Sequence, residues 1–523
     1  MPKRNGALGG ARTGRILAVA ATASLVLTGC AGGQDGAANN SGALNIAYPQ
    51  PLETLDPIHA DQNQTNTIDD VLYDTLVTYD RSNKLVGSLA GSFALTPDAS
   101  AVKVTLRSGV KFHDGSELTA DDVKFSFDRY ASIGQGIASD LADYKSTTVT
   151  DATHLTISLK QPDALFLGHL SKVYVLEKKL VSAHAGTNNG QSWLQSHDAG
   201  SGPYKVNQGT VPVSVDRFAG FWAYNDKRPK QIVFDQIAES ATARDELRSG
   251  QLDLAIDLQA PDAKALEDSS GGGVSVKWLK VPNAAYIFFN TAQGPTANPD
   301  VRKALQLAFP HDDALSKIRR SEGVVENGPL PQTMPCQVTS PPFKQDLNKA
   351  KELLKSAGQP HPTLTLRFQP SFSEQVREAT LFQSELRSIG VKLNLVPITF
   401  PDYLTSLSHP STTPEMTLLQ DTAPSPDTGI YLRKAYDSDN IGTTNRAAYK
   451  NPQVHSLLAK ASTTTDASAR CGIYRQVQTL INADAPAIDL YTLWSPMPVS
   501  SRVAGVEASQ TVYPLSLRGV TLK

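Results

Sequence analysis

The sequence predicts an α/β fold. Three observations carry this: segments of period-two hydrophobic alternation, segments of helical periodicity between them, and short connections throughout. The 523 residues suffice for two or three domains, at roughly 150 residues each. Hydrophobic residues make up 40% and charged residues 19% of the chain, the balance of a folded core rather than of a disordered chain. No repeat of fixed period is visible.

The folded part is expected from about Leu44. Val102-Lys103-Val104-Thr105-Leu106 and Leu155-Thr156-Ile157-Ser158-Leu159 place apolar residues on one face at period two, so both read as half-buried strands. Thr119 is a good N-cap, with Asp121 and Asp122 in the first turn. Val123, Phe127 and Tyr130 then share one helical face. A second helix runs from Pro299 through Val301, Ala304, Leu305 and Ala308 and stops at Pro310. A third is capped by Asp346 and closed by Gly358 and Pro360. A fourth runs from Ser373 to Ile389-Gly390, followed at once by the alternating strand Val391 to Leu395. A last helix covers about Arg470 to Asn482.

The first thirty residues carry a separate message. Lys3, Arg4, Arg12 and Arg15 form a positive region without an acid. Ile16 to Leu27 is apolar apart from Thr22 and Ser24, and Leu27-Thr28-Gly29-Cys30 follows. Twelve apolar residues are too few for a membrane-spanning helix, which needs ~20. Small residues leading into a cysteine resemble the lipobox of bacterial lipoproteins. That resemblance implies a signal peptide over 1–29, lipidation of Cys30 and anchoring to the outer face of the cytoplasmic membrane. Ala31 to Ser41 reads as a flexible tether.

Net charge is −2, from 49 basic and 51 acidic side chains. Cleavage before Cys30 leaves 45 basic against 51 acidic and takes it to −6. No basic stripe points to nucleic acid. Three cysteines are present. With Cys30 acylated, an exported chain keeps Cys336 and Cys471, for which one disulfide is the simplest account and two buried thiols the alternative. Neither has a metal-ligand neighbour at close spacing.

Chemistry of catalysis is sparse. Gly-x-Ser-x-Gly, His-Glu-x-x-His, paired Ser-x-x-Lys and Lys-Thr-Gly boxes and a Walker A sequence are all missing. His113-Asp114-Gly115 reads as a tight turn. Gly271-Gly272-Gly273 reads as a loop, since no helix start follows it.

Leu106 to Tyr130, LRSGVKFHDGSELTADDVKFSFDRY, resembles the signature of the family 5 bacterial extracellular solute-binding proteins, which include oligopeptide- and dipeptide-binding proteins. Further segments match in family order. They are Leu55-Asp56-Pro57, Leu72-Tyr73-Asp74-Thr75-Leu76, Gly200-Ser201-Gly202-Pro203-Tyr204, Ser249-Gly250-Gln251-Leu252-Asp253, Val301 to Leu305, and Asp346 to Gly358. The resemblance spans nearly all of residues 44–510. Two departures stand out. Phe309-Pro310-His311 replaces the family's Ile-Asp-Arg, and the Trp before the ligand loop is missing near Gln420-Asp421.

The resemblance implies a two-lobed, type II periplasmic-binding-protein-like fold with an extra domain in the first lobe. Lobe 1 would span 44–280 with an insert at about 80–195, lobe 2 would span 281–490, and 491–523 would return to lobe 1. Strands crossing between lobes are expected near Val281–Asn290 and Ala487–Trp494. It also implies a monomeric, non-catalytic receptor for an ABC importer, with permease and ATPase subunits as partners, short peptides as solute, and no cofactor or metal. Asp421 is expected to pair with the ligand's ammonium, with Gln420, Gln62 and Asn63 in the same cleft. The alternatives are a nickel chelate, oligosaccharide or opine as solute, a sensor or scaffold that binds peptide without transport, or a secreted lipoprotein hydrolase.

Overall fold

The computed structural model describes residues 42–60, 63–269, 273–320, 322–338, 340, 341, 343–508 and 515–523. The expectations on Cys30, the tether and Gln62 lie outside the described residues.

The main sheet has eleven strands. They are β1 (Ala43–Tyr48), β2 (Tyr204–Gln208), β3 (Val213–Arg217), β4 (Gln231–Gln236), β5 (Leu254–Ala255), β6 (Val274–Phe289), β7 (Gly323–Val325), β8 (Thr363–Phe368), β9 (Lys392–Pro397), β10 (Met416–Thr422) and β11 (Ala487–Ser500). Their order is β9-β8-β10-β6-β11-β5-β1-β4-β3-β2, with β7 paired to β11 off this path. β1 is parallel to β4 and β5, and β8 is parallel to β9 and β10. The helices used below are α1 (Asn63–Leu72), α2 (Ala120–Ile133), α3 (Ser240–Ser249), α4 (Ala260–Asp268), α5 (Pro299–Ala308), α6 (Leu347–Ser356), α7 (Ser373–Ser388), α8 (Thr428–Tyr436) and α9 (Ala467–Asp484).

The buried side chains divide in two. One set comes from residues 44–266 and 497–520. The other comes from 284–493, joined by Leu165. We call these the first and second lobes. Between β1 and β2 lies a separate four-stranded antiparallel sheet of Ala90–Leu95, Ala101–Leu106, His154–Leu159 and Tyr144–Val149. The two alternating segments read from sequence are neighbours in it, with Val102 opposite Ile157 and Val104 opposite Leu155. Against this sheet packs α2. The Asp122 carboxylate accepts from the Thr119 N–H and hydroxyl, both at 2.9 Å. Val123, Phe127 and Tyr130 are fully buried, and Gly134 ends the helix at φ +70°.

In the second lobe the helix starts follow the same chemistry. Asn298 accepts from the Asp300 N–H at 2.9 Å. Asp346 accepts from the Lys349 N–H at 2.9 Å. α9 is longer than the sequence suggests because Asp466 caps it, accepting from the Ala469 N–H at 2.7 Å. At its other end the buried Arg302 guanidinium on α5 donates to the Asp484 and Ala485 carbonyls, which a helix cannot satisfy itself. Cys336 and Cys471 form a disulfide that joins the loop after β7 to α9, 135 residues apart.

Three signature segments meet at one packing node. A Cβ on Gly200 would lie 1.9 Å from the Leu72 carbonyl oxygen, and one on Gly202 would lie 2.5 Å from that of Val71. Only glycine lets this turn close on the end of α1. The Gly202 N–H donates to the Leu72 carbonyl at 2.9 Å. His113 completes the node. Its ring nitrogens meet the Asp198 carboxylate and, at 3.1 Å, the Gly202 carbonyl. The His113-Asp114-Gly115 segment is the expected turn, with Gly115 at φ +93°.

Asp69 on α1 is fully buried, and neither carboxylate oxygen has a hydrogen-bond partner. Burial first, then the charges of Asp56, Asp198 and Asp70, push its pKa well above the usual carboxylate range. The folded protein therefore keeps this proton where the unfolded chain has lost it. Stability falls as pH rises above the unfolded carboxylate range. Asp69→Asn is expected to stabilise by about 1–3 kcal/mol at pH 7, and the gain should disappear near pH 3. Urea melts at the two pH values check this; an equal gain at both would remove carboxyl titration as the cause.

Candidate functional site

β6 and β11 are the longest strands of the main sheet, with 16 and 14 residues. They pair from Val274 opposite Ser500 to Phe288 opposite Ala487. Leu279, Met497 and Val499 belong to the first lobe's core, and Ala285, Ile287, Ile488 and Leu490 to the second's. Both strands thus run from one core into the other. The ladder slips between Lys280 and Asn283, leaving Val281 and Pro282 without partners on β11. Pro282 has no N–H to give, so a bulge is where the strand can carry it. Its carbonyl accepts from the Ala423 N–H at 2.8 Å.

A cavity of about 460 Å³ opens beside this crossing. The first lobe contributes Tyr48, from the C-terminal end of β1, with Ser240 and Asp257. The second contributes Phe372 and Glu374, and Trp494 comes from β11. The C-terminal ends of strands are where open α/β sheets take ligands. Among the described residues the lining holds no histidine, cysteine or methionine.

Gln420 on β10 also lines the cavity. β10 pairs with β6 along its length, from Met416 opposite Phe289 to Thr422 opposite Asn283. On its other edge it pairs with β8 only at Met416 and Thr417. Among the described residues the edge of Leu418–Thr422 therefore has no partner strand.

Asp421 differs from its expected role. Side chains alternate along a strand, so Asp421 faces away from the side that carries Gln420, and it is not among the cavity-lining residues. Its Oδ1 accepts from Lys434 Nζ at 2.9 Å and Arg446 Nη2 at 3.4 Å. Burial raises the Asp421 pKa, but Lys434 and then Arg446 outweigh it and hold it at about 2. Burial drives Lys434 down, while Asp421 pulls it back up. The trio carries one net positive charge. A carboxylate already serving two cations is a poor anchor for a third. Asn63 opens α1, and its side chain lies outside the described residues.

A second cavity, of about 370 Å³, lies between the inserted sheet's connections and the second lobe, lined by Asp163, Lys172, Arg433 and Lys434. The chain is tied across it. The Ala164 N–H donates to the Ser462 carbonyl at 2.6 Å, and Arg433 lies 3.7 Å from Asp163.

Sequence reasoning missed Tyr48, Lys434 and Arg446. Tyr48 had a signal, since it ends the first strand and precedes Pro49. Lys434 stands in the last turn of α8, where a cation is ordinary, and Arg446 has no local signature at all.

Replacing Asp421 leaves two buried cations without their counter-ion. Asp421→Asn is expected to destabilise by ~3 kcal/mol at neutral pH. Because the folded pKa is depressed, the wild-type advantage is present above the unfolded carboxylate range and is lost as pH falls toward about 2. Denaturant melts from pH 7 to pH 2.5 check this; a variant as stable as wild type at pH 7 would refute it.

Comparison with known proteins fits this architecture. The model for bacterial extracellular solute-binding proteins, family 5 (middle region), matches residues 84–443. The glutathione-binding protein GsiB of Pectobacterium atrosepticum is 30% identical over 466 residues, covering 86% of this chain and 88% of that protein. GsiB of Escherichia coli K12 is 28% identical over 468 residues, with 85% and 88% covered. The periplasmic binding protein DppA of Helicobacter pylori, solved with the peptide STSA, superposes with a TM-score of 0.77 at 25% identity, covering 92% of this chain and 98% of that one. HbpA2 of Haemophilus parasuis, 22% identical over 92% of this chain and 100% of its own, reaches a TM-score of 0.81. The fold is that of the type II periplasmic binding proteins, and the chain belongs to family 5 of the bacterial extracellular solute-binding proteins, the receptors of ABC importers.

Proposed function

We propose that this protein is a lipid-anchored receptor that captures short peptides between its lobes and delivers them to an ABC permease. The observation that carries the reading is the backbone edge of Leu418–Thr422, which has no partner strand among the described residues and of which the Thr422 carbonyl alone is met by Lys434 Nζ, beside a cavity of about 460 Å³ lined by both lobes. An extended peptide can add to such an edge as a further strand, its amides satisfying the N–H and C=O groups there. These bonds do not read side chains, so they suit a receptor of broad specificity. The relatives are in keeping with this. One is named for glutathione, itself a tripeptide, and another was solved with the peptide STSA.

Closure follows from geometry. A solute that touches both walls makes its full contact only when the lobes are together, so its binding shifts the population toward the closed form. The bulge at Val281-Pro282 gives the crossing strands a place to bend. The lining, without histidine, cysteine or methionine among the described residues, favours an organic solute over direct metal ligation.

Titration calorimetry of the full chain tests this reading. Trialanine is expected to bind saturably, and trialanine with N-methylated amides about tenfold or more weakly, because donors to the edge are lost. Absence of binding by any unmodified di- to tetrapeptide would end the peptide reading. The anchor is tested separately. One acyl chain holds a protein only marginally, and two or more hold it stably. Cys30→Ala is expected to leave the membrane fraction, as secreted protein or as unprocessed precursor. A mature variant retained there as fully as wild type would remove the lipid.

A further inference from the structure

We infer that residues 163–168 of the inserted segment form a clasp between the lobes, and that the inserted domain thereby sets the balance between the open and closed receptor. The inference rests on the reading that the lobes close on a solute, and it assigns to the insert the contact that opening must break.

The insert is fixed to the first lobe. Its apolar side chains, among them Val104, Phe127 and Ile157, share one core with Leu44, Ile46 and Phe234. The buried pair of Arg129 and Asp56 ties α2 to the segment before α1, with Nη1 3.0 Å from Oδ1. The Val175 N–H donates to the Asp74 carbonyl and the Glu177 N–H to that of Ala199, both at 2.9 Å. Residues 163–168 belong to this body. The Asp163 N–H donates to the Ala99 carbonyl at 3.0 Å, and Phe166 is buried in the first lobe's core.

Leu165 leaves that body. It is 2% exposed and lies in the second lobe's core with Ile430 and Tyr474. Successive side chains, Leu165 and Phe166, thus enter different cores. The second lobe makes room for the first of them. A Cβ on Gly429, in the first turn of α8, would lie 2.9 Å from Leu165 Cδ2 and 2.0 Å from the Tyr474 hydroxyl oxygen, so only glycine leaves the space. Gly168 does the same from the insert's side. A Cβ there would lie 3.1 Å from Ile430 Cδ1 and 2.8 Å from the Tyr79 hydroxyl oxygen.

Polar groups complete the contact. Ser462 is the last residue of the helix Pro452–Ser462, and carbonyls at a helix end have no partner within the helix. The Ala164 N–H supplies one at 2.6 Å. Asp163, also buried, lies 3.7 Å from Arg433 on α8. Water can take over these polar partnerships when the lobes part, whereas Leu165 loses its apolar surroundings outright, so the leucine carries the clasp.

The clasp adjoins the edge proposed for the solute. Pro424, two residues beyond Thr422, lines the second cavity together with Leu165 and Phe166. Lys434 of the same lining donates to the Thr422 carbonyl at 3.2 Å. Apparent affinity is the intrinsic affinity scaled by the fraction of molecules in the binding-competent form. A contact that favours closure without touching the solute raises that fraction for every solute alike.

Spin labels on cysteines introduced at the exposed Lys205 of the first lobe and Lys392 of the second report the separation of the lobes. In the full chain without solute, Leu165→Ala is expected to shift the distance distribution toward larger separation. By calorimetry it should weaken di-, tri- and tetraalanine by one common factor of about ten, because the peptides draw on the same closing equilibrium. Arg433→Gln, at a side chain 34% exposed, is the second variant, and decides the matter if Leu165→Ala fails to fold. It should weaken all three peptides by a common factor of about two to three. Distances and affinities equal to wild type in the deciding variant would overturn the clasp. So would a loss that differs by more than about threefold among the peptides, since that marks direct contact with the solute. If no peptide binds wild type, the peptide reading falls first and the distances in the solute-free protein decide: an unchanged distribution overturns the clasp.

Discussion

Everything about the cleft hangs on the pairing of β6 with β11. Two antiparallel strands of 16 and 14 residues carry the sheet from one core to the other. Their hydrogen bonds are obligatory, because buried backbone groups need partners. The first lobe's strands β5, β1 and β4 and the second lobe's β10 and β8 take their places in the sheet from this pair. The ladder slips twice, between Lys280 and Asn283 and between Ala285 and Tyr286, and the first slip, at Val281-Pro282, is where the strands pass between cores. A continuous ladder would make the lobes one stiff body. A bulge at that point keeps the connection while leaving a bend available.

Around this frame, buried and half-buried ion pairs fix the walls. Arg129 grips Asp56 at 3.0 and 2.5 Å in the first lobe. Arg502 grips Asp253 at 2.5 and 2.6 Å where the chain returns after β11, and Asp253 also accepts from the Asn45 N–H at 2.9 Å. Arg319 and Glu378 do the same under the cavity floor. Such pairs add little net stability compared with apolar packing. Their fork geometry fixes direction instead, and each one ties together segments distant in sequence. The Asp253 pair joins β1, the turn before β5 and the chain after β11, the points where the first lobe meets the crossing strands.

The fold was largely legible because its signals are local. Alternation in Val102–Leu106 and Leu155–Leu159, the caps Thr119 and Asp346, and the apolar runs of the crossing strands each show in a short window. The glycines of Gly200-Ser201-Gly202 were legible as a turn, and the structure adds that the Leu72 carbonyl leaves no room for a side chain. The site was far less legible. Asp421 and Gln420 are adjacent in sequence, yet β10 sends them to opposite faces, and one residue of register separates cleft from core. Arg302 looked like one polar residue on an amphipathic helix. It is buried because the carbonyls at the end of α9, about 180 residues away, need donors. Lys434 and Arg446 meet Asp421 only through tertiary packing, which no window of sequence contains.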